Sequence, residues 1–279
     1  VLAVLAVAIV GIGAWRDSRG AAEHSYPLEP VRISGEGWLT QQGDGPIQLC
    51  VGLSGAIPGP EPCGRTVPIT EVSWQQVPGV HRYGSITQAT VTITGIWGGG
   101  VLAVESVTAP QMVPGLPIPD LPPLCDNPTG TPNTDPYAQP DIAALQELPG
   151  YQLTWVTYPK HGPNAGGVLH NVSFTRDHEP GAEVARRDYG GLVCVGTLPG
   201  PSLKVLMAAT EKLTSDADRV NVPGLILYGV AAGSVIDGRV GLQVDTFVAT
   251  AEMVARITEL VGPEIAPWVT VVGAFRIVG

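Results

Sequence analysis

The sequence predicts an α+β protein: a small β-barrel or sandwich, a Pro-rich linker, and a mixed domain ending in a ferredoxin-like split βαβ unit. Three observations carry this. Residues 86–97, ITQATVTITGIW, alternate Thr90, Thr92 and Thr94 with Val91, Ile93 and Gly95. A period of two marks a strand with one wet face and one buried face. Residues 110–140 hold ten prolines, a density that forbids both sheet ladders and helices. From residue 191 on, the order reads strand, helix, strand, strand, helix, strand, the order of the split βαβ unit.

The elements follow in chain order. Residues 1–15, VLAVLAVAIVGIGAW, carry no charge and are expected to hold the chain at a membrane. At 1.5 Å per residue they span about 22 Å as a helix, short of a ~30 Å hydrocarbon core. Trp15 stands where an interfacial aromatic would, and Arg16 and Asp17 end the run. A cleaved secretory signal and a buried element are the rival readings. Arg16 and Arg19 follow the run, the wrong side for a positive-inside start. Residues 16–31 form a polar tether.

The β-rich domain is expected over 32–109. VRISGEGWLTQ and PIQLCVGL read as strands around a GDG turn, and VLAVESV returns from GGG as a hairpin partner. Its three tryptophans, Trp38, Trp74 and Trp97, are candidates for stacking on sugars if exposed, although at least two are expected in the core. The linker, 110–140, reads as a stiff extended connection partly laid over a domain surface.

The α+β domain is expected over 141–279, its ferredoxin-like part starting near 190. Asp141 caps a short helix over DIAALQEL. YQLTWVTY, GVLHNVSFT and GLVCVGTL read as strands. PSLKVLMAATEKL is a helix with Leu203, Leu206, Met207 and Leu213 on one face. GLILYGVAAG and GRVGLQVDTFV form a hairpin about Asp237-Gly238. TAEMVARITELV is a helix capped by Thr250, with Met253, Val254, Ile257 and Val261 inward. Both helices are expected on one face of a single antiparallel sheet. Gln243 and Asp245 would then point away from them, towards a docking surface.

Cys50 and Cys63 flank a Gly/Pro-rich loop, and Cys125 lies in the linker. The expected disulfides are Cys50–Cys63 and Cys125–Cys194, which suit an oxidising compartment. Free buried thiols are the alternative. A zinc site is disfavoured because no two cysteines stand two to four residues apart.

Composition and motifs exclude much. Lys and Arg number 15 against 25 Asp and Glu, a net charge of -10, so no nucleic-acid partner is expected. No G-x-S-x-G elbow surrounds any serine, and GIWGGG lacks the lysine and following helix of a phosphate loop. The polar window 160–188 holds His161, His170 and His178 with Asp177 and Glu179, and two histidines with a carboxylate can bind zinc. It has no H-e-x-x-H spacing, and a solvated loop is the plainer reading.

LCVGLSGAIPGPEPCG, TVTITGIWGGGVLAVESV and the segment from VIDGRVGLQVDTFV to GAFRIV together resemble uncharacterised cell-envelope proteins of high-GC Gram-positive bacteria. The resemblance covers about two thirds of the chain. It implies a membrane anchor and an envelope location, and no catalytic residue. The expected function is a membrane-anchored extracytoplasmic scaffold or interaction module, not an enzyme, with no cofactor and with an envelope protein or glycan as partner. A carbohydrate-binding module using the tryptophans and a metal-dependent hydrolase using the histidines are the alternatives.

Overall fold

A computed structural model describes residues 30–51, 65–70, 72–98, 100–110, 121–131, 140–158, 167–176, 179–187, 189, 191–215 and 227–279. It is mostly β, with 48% strand against 22% helix, so the α+β expectation holds in its broad form. The described residues form a large sheet and a small second sheet.

The large sheet begins with β1 (Val31–Gln42), β2 (Gln48–Val51), β3 (Arg65–Thr70), β4 (His81–Tyr83), β5 (Ile86–Gly98) and β6 (Val101–Thr108). Five of these pair in a ring. β1 lies antiparallel to β2, β2 to β3, β6 to β5 and β5 back to β1, while β3 and β6 run parallel. The alternation read along β5 sets the two sides of this ring. Ala89, Val91, Ile93 and Trp97 point into a core shared with Ile33, Leu39, Leu49 and Leu102. Thr90, Thr92 and Thr94 lie on the other side of the strand.

The small sheet comprises β7 (Tyr151–Thr157), β8 (Leu169–Phe174) and β9 (Leu192–Thr197). β7–β8 is antiparallel and β8–β9 parallel. Helix α1 (Ile142–Gln146) precedes it; the Asp141 carboxylate accepts from the Ala144 N–H. Helix α2 (Glu179–Arg187) makes the crossover that parallel strands require. The window 160–188, read as a solvated loop, thus contains a helix. Its Gly181 is needed for close packing, because a Cβ there would meet the Phe174 ring at 2.2 Å.

Later elements among the described residues include α3 (Leu203–Ser215), β10 (Leu227–Ile236), β11 (Arg239–Val248), α4 (Ala251–Val261) and β12 (Val269–Ile277). β10 and β11 form the expected hairpin, with Asp237 and Gly238 both at positive φ, the conformation a two-residue primed turn demands. α4 starts at Thr250, whose side chain accepts from Met253 N–H, and ends at Gly262 with φ 87°. Leu206, Ala209 and Leu213 of α3 and Met253 and Ile257 of α4 share a core with Val240, Leu242 and Val244 of β11. Both helices therefore cover the same face of β11, and Gln243 and Asp245 lie by alternation on the other. Met207 and Val254, expected inward, are exposed.

The ferredoxin-like unit is corrected. Such a unit needs its first strand in the same sheet as the next three, but β9 is held by β8 in the small sheet. β12 runs parallel to β11, not antiparallel, because the α4 crossover reverses the chain twice. The other edge of β12 pairs antiparallel with β1, Ile33 opposite Ile277 and Gly35 opposite Phe275. The sheet therefore runs from the stretch 32–109 into the last fifty residues, across the boundary drawn at the linker. Phe247 and Phe275 close the ring's core, Phe247 edge-on to Trp97 at 4.7 Å and beside Phe275 at 4.7 Å. Gly35 permits this approach: a Cβ there would stand 2.7 Å from the Ala274 carbonyl oxygen and 2.8 Å from the Phe275 ring.

Candidate functional site on the outer wall of the ring

Strand register builds the wall. Trp38 on β1 stands opposite Cys50 on β2 and Thr90 on β5, and Cys50 stands opposite Thr66 on β3. One row across four strands is thus Thr66, Cys50, Trp38 and Thr90. The neighbouring rows bring Glu36 to Thr92 and Thr108, and Ser34 to Thr94 and Ser106. Residues directly opposite share a face, so a partly buried indole sits beside threonine and serine hydroxyls.

The wall has local order. The Thr94 hydroxyl donates to Ser34 Oγ at 3.0 Å. Arg32 Nε lies 2.8 Å from Glu105 Oε2, with both side chains about half exposed, so this pair fixes orientation more than it adds stability.

The other two tryptophans play other parts. Trp97 is 1% exposed and fills the core, so it offers no face to a ligand. Trp74 packs against that core and donates its indole N–H to Gln41 Oε1. Only Trp38 of the three lies on the wall.

The histidine window does not assemble a metal centre among the described residues, where no three His, Cys, Asp or Glu side chains group together. His170 is buried at 3% exposure in β8 and meets Tyr189 edge-on at 4.8 Å. Glu179 is exposed in the first turn of α2. His161, Asp177 and His178 lie outside the described residues.

Of the cysteines, Cys125 and Cys194 form the expected disulfide, with Cα atoms 5.6 Å apart. Cys50 is disulfide-bonded; its expected partner, Cys63, lies outside the described residues. So does the apolar run 1–15. Among the described residues no helix is long and apolar enough to cross a membrane.

Among the described residues two titrating groups are perturbed. Burial raises the Tyr151 hydroxyl above its usual range, partly opposed by its hydrogen bond with Thr154. Burial likewise raises Asp245, partly opposed by the Gln243 amide, which donates to it at 2.8 Å.

The wall was missed in the sequence because its residues come from five strands. The signal was present only in pieces: Thr90, Thr92 and Thr94 on one strand, and Ser34, Glu36 and Trp38 at the same period on another. Compared with known proteins, the chain matches no family model, no curated protein and no solved structure.

Proposed function

We propose that the chain is a non-catalytic interaction module, held at the extracytoplasmic face of a membrane by residues 1–15, and that its partner is an envelope glycan met by the wall around Trp38. The observation that carries this reading is the row Thr66, Cys50, Trp38, Thr90 with its hydroxyl-bearing neighbours. A sugar ring offers an apolar C–H face and a rim of hydroxyls. An indole takes the first and threonine and serine side chains take the second. Flat polar faces of this kind need no deep pocket.

The strand order of the ring supports the same reading. Counting only its five members, the order is first, second, third, fifth, fourth and back to first. That is the order of the five-stranded Greek-key barrels that bind oligonucleotides and oligosaccharides. The likeness is one of fold, and fold hosts many functions. The net charge of -10 opposes a polyanion, which leaves the saccharide. The Cys125–Cys194 disulfide supports an oxidising, extracytoplasmic compartment.

The test is affinity electrophoresis of the full chain through gels containing envelope polysaccharide, beside Trp38→Ala. Retardation that falls about tenfold in the variant, equivalent to ~1.4 kcal/mol, supports the reading. Equal retardation of the two proteins, or none of either, contradicts it. Protease shaving of intact cells tests the location separately.

A further inference from the structure

We propose that the wall around Trp38 extends onto β4, where His81 and Tyr83 make a second stacking platform and Gln88 reads an acetamido group between the two, so that the ligand is the interior of a linear, uncharged glycan of N-acetylated amino sugars. This rests on the glycan reading and names the class of ligand.

Register places β4 on the wall. β4 pairs with β5 along the edge that β6 takes further along the strand, His81 opposite Gln88 and Tyr83 opposite Ile86. Gln88 also stands opposite Thr40 of β1. Residues opposite one another share a face, and so do residues two apart on one strand. His81, Tyr83, Gln88 and Thr40 therefore lie on the face that carries Thr90 and Trp38. His81 is exposed and Tyr83 is 38% exposed. Their rings lie 6.4 Å apart and within 25° of parallel, so they present a joint aromatic surface. From His81 to Trp38 is two strand spacings across and two residues along, about 12 Å over the sheet. One sugar ring cannot touch both; a chain of linked rings can.

Gln88 supplies the polar contact. It is 3% exposed, and its Oε1 has no hydrogen-bond partner. An unpaired buried acceptor lowers stability, and an apolar side chain of the same length would fill the place without that cost. Of its two cross-strand neighbours Thr40 is half-buried and His81 exposed, so His81 is the side chain that turns aside to admit a donor. An acetamido group suits the place in two ways. Its N–H donates to Oε1, and its methyl packs on the rings of His81 and Tyr83. A hydroxyl at the same carbon supplies only the first. Acidic sugars are disfavoured, because Glu36 is exposed on the same face, Arg32 there is paired with Glu105, and the chain has a net charge of -10.

The experiment titrates the full chain, labelled with nitrogen-15 at tryptophan, with N-acetylglucosamine, with its β-linked tetramer, and with cellotetraose, which has a hydroxyl in place of each acetamido group. The Trp38 indole signal gives the affinity, and thermal unfolding gives the stability of each variant. The expected result is that the acetylated tetramer binds at least about tenfold more tightly than the monosaccharide or cellotetraose. Tyr83→Ala should weaken the tetramer about tenfold and leave the monosaccharide unchanged. Gln88→Met should weaken the tetramer by a similar factor while its unfolding temperature stays at or above that of the parent. A tetramer that binds no better than the monosaccharide, or variants that bind it as the parent does, overturn the proposal; the Trp38 reading then still stands where Trp38→Ala, followed by calorimetry, loses the tetramer. Cellotetraose bound as tightly as the acetylated tetramer overturns the ligand class. A lower unfolding temperature for Gln88→Met makes Gln88 part of the fold and overturns its role. Binding that survives Trp38→Ala, or no binding of any of the saccharides, ends both readings.

Discussion

Phe275→Ala should weaken the ring of strands from outside it. Phe275 is 1% exposed on β12, near the end of the chain, yet it packs on Phe247, which packs on Trp97 of β5. Truncating a buried phenylalanine to alanine costs about 3–5 kcal/mol, a large part of the roughly 5–15 kcal/mol that holds a typical protein folded. With a urea dependence of about 2–3 kcal/mol per molar, the midpoint should fall by about 1–2 M. The assay is urea unfolding followed by tryptophan fluorescence and by far-ultraviolet circular dichroism. Both transitions should move together, because β1 pairs with β12 and the ring cannot keep its core while β12 loosens. Val272→Ala, on the same strand but 40% exposed, should change the midpoint by no more than about 0.5 kcal/mol allows. The reasoning fails if the fluorescence transition stays in place while only a second, separate transition moves.

Gly35→Ala should be destabilising despite adding one methyl group, since its Cβ would lie 2.7 Å from the Ala274 carbonyl oxygen; thermal unfolding should show a loss of about 1–3 kcal/mol. Removing the Cys125–Cys194 bond, which spans 69 residues, should cost about 4 kcal/mol on the chain-entropy account, read as the difference between oxidised and reduced urea midpoints. Asp245→Asn tests the buried carboxyl. Burial raises its folded-state pKa, so the proton is held more tightly in the folded protein than in the unfolded one. Its contribution is then most favourable below the unfolded value near 3.8 and is lost as pH rises through the folded value. Unfolding at several pH values should find the variant more stable than the parent at pH 7, with the gap closing as the solution is acidified.

The fold was legible where one strand or helix carries its own pattern. Thr90, Thr92 and Thr94 announced β5 and its wet side; Asp141 and Thr250 announced their helices; Asp237-Gly238 announced its hairpin. What stayed hidden is pairing over distance. Nothing local in VTVVGAFRI says that it will lie along β1, more than two hundred residues earlier. The order of elements after residue 191 matched a split βαβ unit, but order does not say which sheet a strand joins, and α2 carries β9 to β8. That helix was itself hidden by the polar run around it, although Pro180 in its first turn, Glu179 at its start and Arg186 and Arg187 at its end are ordinary helix signals. His170 drew attention as a polar residue in a polar window. Its neighbours Val168, Leu169 and Val172 already marked a buried strand.

The surface around Trp38 is the centre of the functional account, and the chain's six tryptophans allow it to be observed directly. Full-length protein labelled with nitrogen-15 at tryptophan should be titrated with soluble envelope polysaccharide and followed by the indole N–H resonances, assigned by single substitution. The account predicts that the Trp38 signal moves with saturation while the core Trp97 signal stays fixed. A Trp38 signal that stays still while the protein binds glycan, or a spectrum unmoved at every concentration of glycan, would contradict it.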